Sequence, residues 1–154
     1  MKQFIRKSGT ALALIAVSIL GTVLYMNYIE DKEAKTYVET YTQLGGSQIV
    51  NEMTETYSQI MEQYSNYKLN RDTKKKLVDR LQLLTKKLQQ VENQLNTKTE
   101  SQKLDFAYLY QDAKLVSLSL SDPTKDDIVP VVVLHASEGV GEWKKQVVNM
   151  EQGD

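Results

Sequence analysis

His135, Ser137 and Glu138 fall within four positions of one another, and His135 is the single histidine of the chain. A nucleophile, a base and an orienting acid do chemistry together only where they converge on one point. Here they follow 128–134, a β-branched apolar run that predicts a strand with Pro130 at its start or at a sheet edge. Alternate side chains of a strand point to opposite faces, so sequence neighbours of this kind do not converge. Glu138-Gly139-Val140-Gly141 lacks the full dinucleotide-binding pattern and reads as a loop. Asp122, Asp126 and Asp127 share one loop without the ligand spacing of a calcium site, which leaves turn chemistry as their role. With no cysteine there is no thiolate nucleophile, disulfide or cysteine metal site. The expectation is a non-enzymatic protein with no cofactor and no metal.

The stronger patterns are those of binding between helices. From Asp72 onward Leu77, Leu81, Leu84, Leu88, Val91 and Leu95 stand at alternating spacings of four and three, close to three heptads of apolar seam. Ahead of it Val50, Met53, Tyr57, Ile60, Tyr64 and Tyr67 make a second stripe with the same alternation. A tyrosine hydroxyl in a seam needs a partner or an edge open to water. Gly45-Gly46 predicts a hinge or helix end before this stripe, with Ser47 as the next N-cap, and 67–71 predicts a turn with Asn70 or Asp72 capping the following helix. The two stripes fit either a helical hairpin or a coiled coil shared with another chain.

Charge is partitioned along the sequence. Residues 30–67 carry two bases and seven acids, and residues 68–103 carry ten bases and four acids. This pattern predicts that the two segments lie side by side. Arg71, Lys74, Lys75, Lys76, Arg80, Lys86 and Lys87 form a basic patch on the second helix. Such a patch also suits anionic lipid or an envelope polymer; nucleic acid is not expected outside the cytoplasm.

Those helices need an address, and residues 9–29 supply one. This uncharged apolar run of 21 residues makes a helix of about 31 Å, which matches a hydrocarbon core of about 30 Å. Lys2, Arg6 and Lys7 precede it with no acid among them, so 1–8 is expected in the cytoplasm and 30–154 outside. Tyr25 and Tyr28 would mark the outer interface. Val23-Leu24-Tyr25-Met26-Asn27-Tyr28 offers bulky residues where a signal peptide needs small ones before its cut, which favours an uncleaved anchor. The short basic leader ending in Gly9 before an apolar helix resembles type IV pilin-like proteins, but Leu14 stands where that family has glutamate.

The C-terminal part, 104–154, is read as a small α/β segment. Leu104, Tyr108, Leu115 and Leu118 fit one helical face, while Val116, Leu118 and Leu120 alternating with Ser117, Ser119 and Ser121 fit a strand. A short helix over 142–150 would turn Trp143, Val147 and Met150 inward. The expected fold is mainly α: a transmembrane helix at 9–29, a helical hairpin or coiled coil over 30–103, and a small α/β tip. The layout resembles cell-division coiled-coil proteins, inner-membrane spanins of phages and accessory subunits of secretion machines, in architecture alone. The expected function is a membrane-anchored scaffold or assembly subunit in the cell membrane, in contact with lipid, other protein subunits and a possible second copy of itself. The alternative is an accessory sensor that acts through a transmembrane partner.

Overall fold

The computed structural model describes residues 2–66, 69–95 and 104–152, with side chains from Val17 onward, and among the described residues it forms five α-helices and one 3-10 turn. They are α1 (Lys2–Gln43), α2 (Gly46–Ser65), α3 (Arg71–Gln94), α4 (Ala107–Ser121) and α5 (Val129–Gln152), with the 3-10 turn at Pro123–Ile128. The fold is an all-α bundle, and no strand occurs among the described residues.

Two glycines divide α1 from α2. Gly45 takes φ +82°, the left-handed conformation that ends a helix at little cost only for glycine. Gly46 lies under the Tyr41 ring, and a Cβ there would collide with it. The sequence placed an N-cap at Ser47, but α2 already begins at Gly46 because the Gly45 turn opens the helix directly. Asn70 caps α3, its Oδ1 accepting from the Thr73 amide at 2.9 Å.

Side-chain contacts fix the helix directions. Arg80 of α3 lies 3.8 Å from Glu55 of α2, and Lys74 pairs with Asp126 beside Tyr64, so α2 and α3 are antiparallel. The Tyr110 hydroxyl of α4 donates to Glu92 of α3 at 2.7 Å, and further along α4 Lys114 and Ser117 face Lys86 and Gln82. Those two helices are antiparallel as well. Asp112 of α4 faces His135 and Gly139 of α5, and Lys144 reaches Thr54 of α2. The result is an up-down-up-down arrangement of α2 to α5. α1 joins it at the end where α3 leads into α4, giving Ala34, Val38 and Tyr41 to the core.

Tyr41, Phe106 and Trp143 seal that end. The Phe106 and Trp143 rings are 4.5 Å apart at their centres, and the indole N–H of Trp143 donates to the Tyr41 hydroxyl at 3.3 Å. All three side chains are fully buried. Aromatic burial of this kind contributes well beyond its area, about 0.5–1.5 kcal/mol per ring pair.

The α/β tip expected of 104–154 is not formed: both of its helices belong to the bundle. In α4, Leu109, Ala113, Val116 and Leu120 are buried at spacings of four, three and four. The serines that suggested alternation spend their hydroxyls inside the helix, Ser117 on the Ala113 carbonyl at 2.8 Å and Ser121 on the Ser117 carbonyl at 2.7 Å. The run 128–134 enters α5 rather than a strand. Val129, Val133, Ala136, Val140 and Trp143 form a buried stripe at spacings of four, three, four and three. Pro130 is tolerated because it lies in the first turn, where no intrahelical donor is needed. Residues 137–141, expected as a loop, continue the same helix. Asp122 does end α4, and its carboxylate accepts from the Thr124 amide at 3.0 Å and hydroxyl at 2.7 Å. Those bonds hold its pKa below the usual carboxylate range.

Candidate interaction surface

The two seams face each other inside the bundle. Val50, Met53, Tyr57 and Ile60 of α2 are buried, as are Leu77, Leu81, Leu84, Leu88 and Val91 of α3 and Leu95 just beyond it. Tyr64 sits half-buried at the rim and donates its hydroxyl to the Asp126 carbonyl, while Tyr67 lies outside the described residues. In this state the seams are core, and a partner helix has no access to them.

Basic residues of α3 are spread over several surroundings. Lys74 is largely buried against Asp126, and Arg80 lies between Glu55 and Gln59. Arg71, Lys75, Lys76, Lys86 and Lys87 are exposed. The acidic and basic segments do lie together through α2 and α3, and Arg80–Glu55, at 3.8 Å and open to water, is the ion pair between those two helices among the described residues. Exposed pairs of that kind contribute about 0–1 kcal/mol. Lys86 also borders an open groove of 330 Å³ between α3 and α4, opposite Lys114, with Thr85, Ala113 and Ser117 along its walls.

His135 is exposed, and its Nε2 stands 3.8 Å from Oδ1 of Asp112. The Ser137 hydroxyl donates to the Val133 carbonyl at 2.9 Å, away from His135. The three residues singled out by spacing are therefore not brought together for nucleophilic chemistry. What the sequence did not reveal is Asp112, a buried carboxyl whose pKa burial raises and His135 partly restores. It lies against Gly139, where a Cβ would come within 2.6 Å of its Oδ2. Burial of the Tyr57 hydroxyl, with the Asp112 charge nearby, raises its pKa, and burial of Tyr108, with the charges of Asp105 and Asp112 nearby, raises its pKa to about 12. Neither hydroxyl has a hydrogen-bond partner.

The exposed surface carries two apolar features. Every residue from 17 to 29 of α1 is exposed, and among them are nine large hydrophobic side chains, from Val17 to Ile29. Among the described residues no helix is long and apolar enough to cross a membrane; residues 9–16 of the expected span lie outside the residues whose side chains are described. The second feature is a ridge along α4 and α5 formed by Leu115, Leu118, Val131 and Leu134, each at least half exposed. The sequence groups Leu115 and Leu118 with Leu104 and Tyr108 on one helical face, as an alternative to a strand. The offset of Leu115 and Leu118 from the stripe 109, 113, 116 and 120 was the signal that they point outward.

These features define an all-α bundle with one long apolar helical extension. No known protein family, curated protein or solved structure matches this chain.

Proposed function

We propose that the chain is a non-enzymatic, membrane-anchored scaffold or assembly subunit. Residues 9–29 of α1 cross the bilayer, and the α2–α5 bundle is presented on the extracytoplasmic side to other protein subunits. The observation that carries this reading is the exposure of 17–29 on all sides of α1. An amphipathic helix awaiting one partner has an apolar stripe and a polar face. A helix that is apolar all round needs a surrounding medium, and the hydrocarbon of a bilayer is such a medium. Lys2, Arg6 and Lys7 before the run set the orientation.

The test is fractionation of the full chain beside residues 30–154. The full chain is expected to stay with membranes through an alkaline carbonate wash, and protease added from outside is expected to remove the bundle. Recovery of the full chain in the wash would rule the anchor out.

A further inference from the structure

Outside the apolar stretch of α1, exposed large hydrophobic side chains are concentrated on α4, the 3-10 turn and α5. Leu115 is 50% exposed, Leu118 52%, Val131 68% and Leu134 55%. Helix α2 has no large hydrophobic side chain in this class, and α3 has one, Leu83.

The heights of these residues along the bundle can be counted from Asp112, which faces both His135 and Gly139. At about 1.5 Å per residue, Leu115 and Leu118 stand roughly 4.5 and 9 Å further along α4. Leu134 and Val131 stand at about the same two heights on antiparallel α5. The ridge on one helix therefore matches the ridge on the other, level for level. A two-fold axis parallel to the bundle lays α4 of one molecule over α5 of a second and brings each Leu118 onto the second molecule's Val131.

We infer that the α4–α5 face is a homodimer interface, in which two copies anchored in one membrane pack about a two-fold axis along the bundle. The choice of axis rests on the membrane reading above. Of the possible two-fold axes lying in this face, the one along the bundle lets both α1 helices leave at the same end and enter the same bilayer. The area fits such a partner. A face as long as the 15 residues of α4 and two helices wide covers on the order of 450 Å² on each copy, about 900 Å² in all, which is below the size of standard specific interfaces and in the range of weak ones. An interface of that size is weak between free molecules and effective between molecules confined to one membrane, where the local concentration is high.

The chain has no cysteine, so single thiols report contacts without background. Full-length Leu118→Cys and Val131→Cys, carrying different tags, would be co-expressed, and washed membranes treated with a mild oxidant. A mixed disulfide-linked dimer is expected, with little product from Leu118→Cys alone, because the two Leu118 side chains lie on opposite sides of the axis. Adding Leu115→Glu to both is expected to lower the mixed product roughly tenfold or more, since it puts a charge into the apolar contact. Helicity and melting temperature of each variant, unchanged because all three positions are exposed, exclude misfolding. Absence of the mixed dimer, or equal cross-linking by Leu118→Cys alone, overturns the inference. Flotation of the same membranes separates the two readings. A chain that floats without cross-linking retains its anchor and loses the dimer, whereas one that cross-links without floating loses the anchor.

Discussion

The apolar residues of α3 recur at spacings of four and three and disappear into the bundle, whereas those of α1 at 17–29 occur on every side of the helix and none is covered. Leu81 and Leu88 are 0% exposed, while Val17 and Leu24 are 69% and 64% exposed. Both stretches are helical and both contain leucine and valine, so hydrophobicity alone does not separate them. Period does. A stripe one residue in three or four wide can be satisfied by the chain's own helices. An unbroken apolar surface exceeds what five helices can cover, and it requires a solvent of its own kind.

A charge placed in each region separates the two. Leu84→Asp, at a position 1% exposed, places an unpaired carboxylate in the core and is expected to cost about 4 kcal/mol or more. Circular dichroism and urea unfolding of residues 30–154 measure it, and an unaltered midpoint would show that the seam is not core. Val23→Asp makes the same kind of change in the uncovered stretch. It is expected to leave the unfolding of the bundle untouched while opposing insertion by about 2.5–3.5 kcal/mol, shifting the full chain to the soluble fraction. A stable membrane fraction for this variant would count against a span at 9–29.

A smaller effect is expected inside the bundle at Asp112. Its pKa is raised in the folded protein, so the fold favours the protonated carboxyl. The stability this group lends is present below its ordinary value near 3.8 and is lost as pH rises through the folded value. Asp112→Asn should therefore be more stable than the natural chain at neutral pH, with the difference closing in acid. A lower stability of Asp112→Asn at pH 7 would mean that the ionised carboxylate is held by a favourable partner. The smallest effect belongs to Lys75 and Lys76, both exposed. Their replacement by glutamate should change stability by no more than about 0.5 kcal/mol, as read from the urea midpoint at low salt. A larger loss would restore the idea that basic charge on α3 holds the helices together.

The hairpin of α2 and α3 was legible because its periodicity is clean and its turn residues are conventional. Asn70 caps α3 as its side chain allows, and the glycines at 45 and 46 end one helix and start the next. The C-terminal third was misread for a definite reason. Five of the seven residues in 128–134 are valine or isoleucine, and Gly139 and Gly141 interrupt the region that follows, so local propensity argues for strand and loop. Packing overrides it, because 129, 133, 136, 140 and 143 lie on one helical stripe that buries Trp143 against Tyr41 and Phe106. That stripe was present in the sequence but crossed the glycines. Asp112 was not legible, since its burial depends on Gly139 permitting α4 and α5 to approach, a contact between residues 27 positions apart. The outward ridge at Leu115, Leu118, Val131 and Leu134 was hidden for a related reason: a leucine on a helix announces a contact but not which side of the fold will make it.

Helix α1 runs unbroken from Lys2 to Gln43, through the apolar stretch and into the residues it gives to the core. Such a connection gives the molecule a phase. Each residue of a helix turns its continuation by about 100° and advances it by about 1.5 Å. The number of residues between Ile29 and Ala34 therefore sets the compass bearing of the α4–α5 ridge relative to whatever holds the apolar stretch. One residue inserted there swings the ridge a quarter-turn or more around the helix axis, whereas seven bring it back to within about 20° of its bearing, roughly 10 Å higher. The stem between the two regions carries information through its length.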